Sequence, residues 1–136
     1  MSRILAIDYG NQRCGIAVTD ILKLSINGLP TLEEKKLIAF LDNYISNEEV
    51  GLVVLGWPTH KDGNPTPITK KIIKLEAHLN LRFPNLELVR IDESYTSSEA
   101  KEILLLNNVK KKHRKVKELT DKVSAMLILE RYLENL

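Results

Sequence analysis

The chain has no pair of cysteines. Cys14 is alone among 136 residues, so no disulfide framework holds the fold and stability must come from a buried core. Long apolar spans are absent too. Neither a signal-type apolar segment nor a run of membrane length occurs, which predicts a soluble, cytoplasmic protein with no membrane partner. Charge of one sign is not in excess: 20 Lys and Arg face 18 Asp and Glu, a net charge of +2. That balance by itself selects no class of partner, and attention passes to where the charges lie. Internal repeats and low-complexity linkers are also missing, so 136 residues predict a single domain, 1–136, large enough to bury most of its apolar surface.

What is present begins with Leu5 to Asp20, LAIDYGNQRCGIAVTD. A short apolar run ends at Asp8, a turn follows at Gly10 and Asn11, and apolar residues resume through Ile16 and Val18, as in two strands joined by a turn. A short third strand is expected from Ser25 to Leu29, before Pro30. The period then changes. Thr31 with Glu34 reads as a capping box, and Leu37, Ile38, Leu41 and Ile45 recur at helical spacing, predicting a helix from Leu32 to Ser46. Val50 to Trp57 is apolar almost throughout, as in a central strand buried on both faces. A Gly- and Pro-rich loop from Pro58 leads to Pro67, where a helix with Ile68, Ile72, Leu75 and Leu79 on one face is predicted. Leu86 to Ile91 reads as a strand ending at Asp92 and Glu93. Thr96 and Glu99 form a second capping box, opening a helix through Leu106. Asn107 to Lys117 reads as a basic loop, and a last helix carries Leu119, Val123, Met126, Leu129 and Leu133.

A meander followed by alternating helices and strands predicts a single mixed five-stranded α/β sheet with helices on both faces. In such sheets ligands bind beyond the carboxyl ends of the parallel strands. Asp8 and Glu93 fall at those ends, and Asp121 is expected in the first turn of the last helix. Three converging carboxylates repel unless a cation lies among them, and Mg²⁺ or Mn²⁺ suits oxygen ligands. One or two such ions can activate water against a phosphodiester. Acids at strand ends and helix starts also serve as caps and dipole partners, and Asp121 is the most open to that reading.

Four blocks then bear a resemblance: AIDYGNQRCGIAVTD (Ala6 to Asp20), VVLGWPTHKDG (Val53 to Gly63), IDESYTSSEA (Ile91 to Ala100) and TDKVSAMLILERYL (Thr120 to Leu133). In this order they resemble the YqgF/RuvX family of the ribonuclease-H-like superfamily, proteins described as nucleases of precursor 16S ribosomal RNA and as Holliday junction resolvases. The resemblance implies a ribonuclease-H-like fold, a divalent-metal-dependent nuclease, and Asp8, Glu93 and Asp121 as both catalytic residues and metal ligands. It also implies that Gly10 and Arg13 belong to the first turn, that Gly56, Pro58, Asp62 and Gly63 form a loop beside the site, and that Thr96 and Ser97 lie next to the substrate backbone. Two positions depart from the family pattern. Trp57 stands in place of a leucine, and Ser94 in place of an arginine, which removes a bidentate donor for phosphate.

Lys110, Lys111, Lys112, His113, Arg114, Lys115 and Lys117 form a dense cationic run. Beside a phosphodiester-cutting site it would neutralise backbone phosphates; elsewhere it is a solvated face. Arg13 suits either a phosphate clamp or a surface strand end. Trp57 is better suited to packing under the loop than to stacking on a base, and His60, His78 and His113 make no case for a ligand. Precursor ribosomal RNA is therefore the expected substrate and branched DNA the alternative, acted on by a monomer or weak dimer. Two other classes compete. An ATP site built on the DxG turn would need a second closing domain, and a non-catalytic RNA- or ribosome-binding module would leave the acids structural.

Overall fold

The computed structural model describes residues 2–58, 66–92 and 113–134, with side chains of the last stretch described from 120 onward. Five strands form one sheet: β1 (Arg3–Asp8), β2 (Arg13–Thr19), β3 (Ile26–Glu33), β4 (Val50–Trp57) and β5 (Glu87–Asp92). Their spatial order is β3-β2-β1-β4-β5. The first three are antiparallel neighbours, whereas β4 and β5 run parallel to β1. Three α-helices are described: α1 (Leu37–Asn47), α2 (Pro67–Arg82) and α3 (His113–Glu134).

Strand alternation sorts the apolar residues into two layers. Leu5, Ile7, Cys14, Ile16, Val18, Val53 and Leu55 face one side, where Leu37, Leu41 and Ile45 of α1 and Ile72, Leu75 and Leu79 of α2 complete the larger core. Ile4, Ala6, Ala17 and Val54 face the other, against Ala125, Ile128 and Leu129 of α3. Among the described helices, α3 alone covers this second face, and the small residues on both sides let it lie close to the sheet.

Four sequence expectations are corrected here. The first helix does not begin at Leu32 from a Thr31 cap. Strand pairing runs on through Leu32 and Glu33, opposite Cys14 and Arg13, and a 3-10 turn at Glu34–Lys36 precedes α1. Glu34 spends its groups on tertiary partners: its N–H donates to the Gln12 carbonyl at 2.9 Å and its carboxylate accepts from the Tyr9 hydroxyl. The third strand passes through Pro30 rather than stopping before it, because β3 is an edge strand with a register shift opposite Cys14 and Ile16, where a missing N–H is tolerated. The central strand is β1, not β4. Finally, α3 begins at His113, so Arg114, Lys115 and Lys117 belong to its opening turns rather than to a loop, and Asp121 lies in its third turn.

The predicted stripe of α3 is also displaced. The buried positions of the helix include Thr120, Ser124, Ala125, Ile128 and Leu129, while Met126 and Leu133 are partly buried at its margin. Hydrophobicity alone favours the larger side chains, but the close approach to β2 selects small ones. The helix predicted to open at Thr96 lies outside the described residues.

Candidate active site

Asp8 is the last residue of β1 and continues the Ile4, Ala6 side of the strand, so it sits on the α3 face. Its antiparallel partner is Gly15 of β2. Gly15 has a specific packing role: a Cβ at this position would collide with the backbone carbonyl of Asp121. The missing side chain lets α3 press its third turn onto β2, directly across from Asp8. Arg13, on the same side of β2, reaches over with its Nε 3.5 Å from Asp121 Oδ2. The strand register and one glycine thus bring Asp8, Arg13 and Asp121 to one corner of the molecule.

The turn that carries this corner is fixed from below. A Cβ at Gly10 would run into the Arg13 carbonyl, so only glycine fits the tight return. The Cys14 thiol points to the Gly10 carbonyl at 3.9 Å. Burial, offset in part by that contact, pushes this thiol up to about 12, and the charges of Glu34, Asp8 and Asp121 act in the same direction as burial. Both carboxylates are therefore close enough for their fields to reach Cys14. Cys14 itself belongs to the α1 and α2 layer, so the donors on the α3 face of this corner are the hard carboxylate oxygens of Asp8 and Asp121. Tyr9, next to Asp8, is likewise driven upward, first by burial and then by its hydrogen bond to Glu34.

Among the described residues, no group of three His, Cys, Asp or Glu side chains stands together as a complete metal site. Glu93, the third acid of the predicted trio, follows directly after Asp92 in sequence and lies outside the described residues, as do Thr96, Ser97, Lys110, Lys111 and Lys112. The side chains of Arg114, Lys115 and Lys117 lie outside them too. Gly10 lies in the turn after Asp8, whereas Arg13 is the first residue of β2 rather than part of that turn. The role of Asp121 as a helix cap is excluded by its position within α3.

Trp57 belongs to the opposite face. It packs against the α1 and α2 layer, and the Arg90 guanidinium lies 3.8 Å from the centre of its ring. Arg90 is held in turn by Glu76 of α2 through bonds of 2.7 and 2.8 Å. Packing is therefore the observed role of Trp57, and its ring is turned away from the acids. Sequence reasoning missed two polar groups. His78 is bonded to Asp42 at 2.8 Å and ties α2 to α1, a partnership 36 residues apart that no local pattern signals. Ser124, three residues beyond Asp121, has a buried hydroxyl with no hydrogen-bond partner among the described residues; a small polar residue among apolar ones was the available clue.

Residues 2–135 match the RuvX family, described as Holliday junction resolvase. The chain belongs to the RuvX family. Its similar proteins include one from Bacteroides thetaiotaomicron, 41% identical over 135 residues and covering 99% of this chain and 98% of that one. Another, from Christiangramia forsetii, is 40% identical over 133 residues, 98% of each chain. Both carry the name "Putative pre-16S rRNA nuclease". Among solved structures, Thermus thermophilus RuvC in complex with a Holliday junction substrate is similar with a TM-score of 0.59 at 13% identity, covering 98% of this chain and 96% of that one. At that identity the likeness establishes the fold, which is ribonuclease-H-like, as the four sequence blocks imply. RuvX membership and the names of its relatives make the chain a nuclease.

Proposed function

We propose that this RuvX chain is a divalent-metal-dependent nuclease that trims the 5′ end of precursor 16S ribosomal RNA in the cytoplasm. The observation that carries the reading is the approach of Asp121 to Asp8 across Gly15. The two acids lie more than a hundred positions apart in sequence, and the residue where their elements meet is a glycine. Acids brought together at the carboxyl end of a parallel strand suit a hard cation, with Glu93 supplying the third carboxylate. When bound, Mg²⁺ or Mn²⁺, as one or two ions, supplies Lewis acidity at the scissile phosphate and a more acidic water. Asp8 holds its carboxylate on a rigid central strand, and Asp121 holds its own on a helix locked to that strand's neighbour. Both positions are therefore preorganised. The cationic run from Lys110 to Lys117, with Thr96 and Ser97, binds the nucleic-acid backbone.

Branched DNA is the second reading, favoured by the family's description as Holliday junction resolvase. Cleavage of a ribosomal precursor and of a four-way junction, with Mg²⁺ or Mn²⁺ added, separates the two. Asp8→Asn should abolish cleavage while its circular dichroism and thermal melt match the wild type. Full activity in that variant would sink the carboxylate mechanism, and RNA binding without any cleavage by the wild type would favour a binding module.

A further inference from the structure

Arg13 occupies the place expected of a phosphate clamp, yet its guanidinium is turned to a carboxylate. Its Nε is 3.5 Å from Asp121 Oδ2, with the two side chains 25% and 29% exposed. Asp8 sits on the same face, opposite Gly15. A positive charge at this point offsets the repulsion that two neighbouring carboxylates would otherwise feel. Resting on the metal-dependent reading above, we propose that Arg13 is the resident counter-ion of Asp121 in the metal-free protein. A divalent cation then displaces it, freeing the guanidinium for a nucleic-acid phosphate.

Three observations support the exchange. The pair is partly exposed and longer than a close hydrogen bond, so it is weak enough to yield to a doubly charged ion. The backbone beneath Arg13 is fixed, since the Gln12 carbonyl accepts from the Glu34 N–H at 2.9 Å and Gly10 packs on the Arg13 carbonyl. Only the side chain has to move. It also has somewhere to go: Arg13 lines an open cleft of about 450 Å³ with Asn11, Gln12, Glu33, Glu34 and Lys35. Of the two acids in that cleft, Glu33 lies 3.4 Å from Lys35 and Glu34 accepts from the Tyr9 hydroxyl. A guanidinium released into the open cleft offers a nucleic-acid phosphate its planar fork, which is suited to bidentate contact.

The test is calorimetric titration of the full metal-free chain with Mn²⁺ alone. Arg13→Gln removes the competitor and should bind Mn²⁺ about two- to five-fold more tightly, the range expected for loss of an exposed ion pair. Arg13→Lys should lie between it and the wild type. Asp121→Asn should weaken binding and erase the gain when combined with Arg13→Gln. In parallel, the Arg13 Nε–H resonance should shift on adding Mg²⁺ and should already be shifted in metal-free Asp121→Asn. Equal or weaker Mn²⁺ binding by Arg13→Gln, or an Arg13 resonance indifferent to Mg²⁺, overturns the proposal while leaving the metal site standing. If neither wild type nor Arg13→Gln binds Mn²⁺ at all, the metal-dependent reading fails and takes this inference with it.

Discussion

Replacing Gly15 with alanine puts a methyl group where the Asp121 carbonyl already stands, and backbone on both sides has to give. Such overpacking costs about 1–3 kcal/mol, and here the displaced helix carries Asp121 with it. Gly15→Ala is expected to lower the melting temperature and to weaken Mn²⁺ binding together. Gly28→Ala is the control. Its Cβ would meet the Lys122 side chain and the Met126 sulfur rather than the helix backbone, so the side chains, not the Asp121 carbonyl, have to give. It should melt closer to the wild type and bind Mn²⁺ normally. Cys14 offers a pH test. Its thiol is raised from 9.0 to about 12, first by burial, so the fold accepts the neutral form. Well below pH 9 both folded and unfolded chains keep the proton and this residue adds no pH dependence. Between about 9 and 12 the unfolded chain ionises first and stability falls. Denaturant melts over that window should give a shallower loss of stability with pH for Cys14→Ala than for the wild type. The same burial should leave Cys14 slow to alkylate at about pH 8.

At the scale of elements, β4, β5 and α2 are fastened by a chain of three side chains. Trp57 packs at the end of β4, Arg90 of β5 covers its ring, and Glu76 of α2 holds Arg90. Removing the guanidinium by Arg90→Ala should cost about 1 kcal/mol, the sum of a cation–π contact and a partly exposed ion pair. Because Trp57 is the single tryptophan, its fluorescence reports the change directly. Emission should move to longer wavelength as the ring loses its cover, and an unmoved spectrum would count against the packing role. Such fastenings were not legible in the sequence, since the partners are 14 and 33 residues from Arg90. Periodicity did reveal β1, β2, β4, β5 and the inward faces of α1 and α2, where burial follows a regular repeat. It misjudged the start of α1, because strand pairing from Arg13 and Cys14 claimed Leu32 and Glu33 from a plausible helix cap. It misjudged α3 because close packing favours Ser124 and Ala125 over larger neighbours. Asp8 and Asp121 could be picked out as acids at structurally significant places. Their meeting through Gly15 could not, as nothing local ties residue 15 to residue 121.

For the whole molecule, charge is balanced in total but not in place. A net charge of +2 gives little long-range attraction to RNA, so affinity should depend on the run that leads into α3. Neutralising Arg114, Lys115 and Lys117 together should weaken RNA binding and lower the slope of log affinity against log salt by about one for each phosphate no longer neutralised. An unchanged slope would make the run a solvated face. The topology carries one more consequence, set by the order in which the chain is made. Asp8 is synthesised well before the helix that brings Asp121 against Gly15, which is the last described element. One face of the sheet therefore waits for its cover, and the corner holding the acids cannot close, until nearly all of these residues have emerged from the ribosome. A nascent chain that still lacks this helix would in this way hold its first acid without the means to cut RNA.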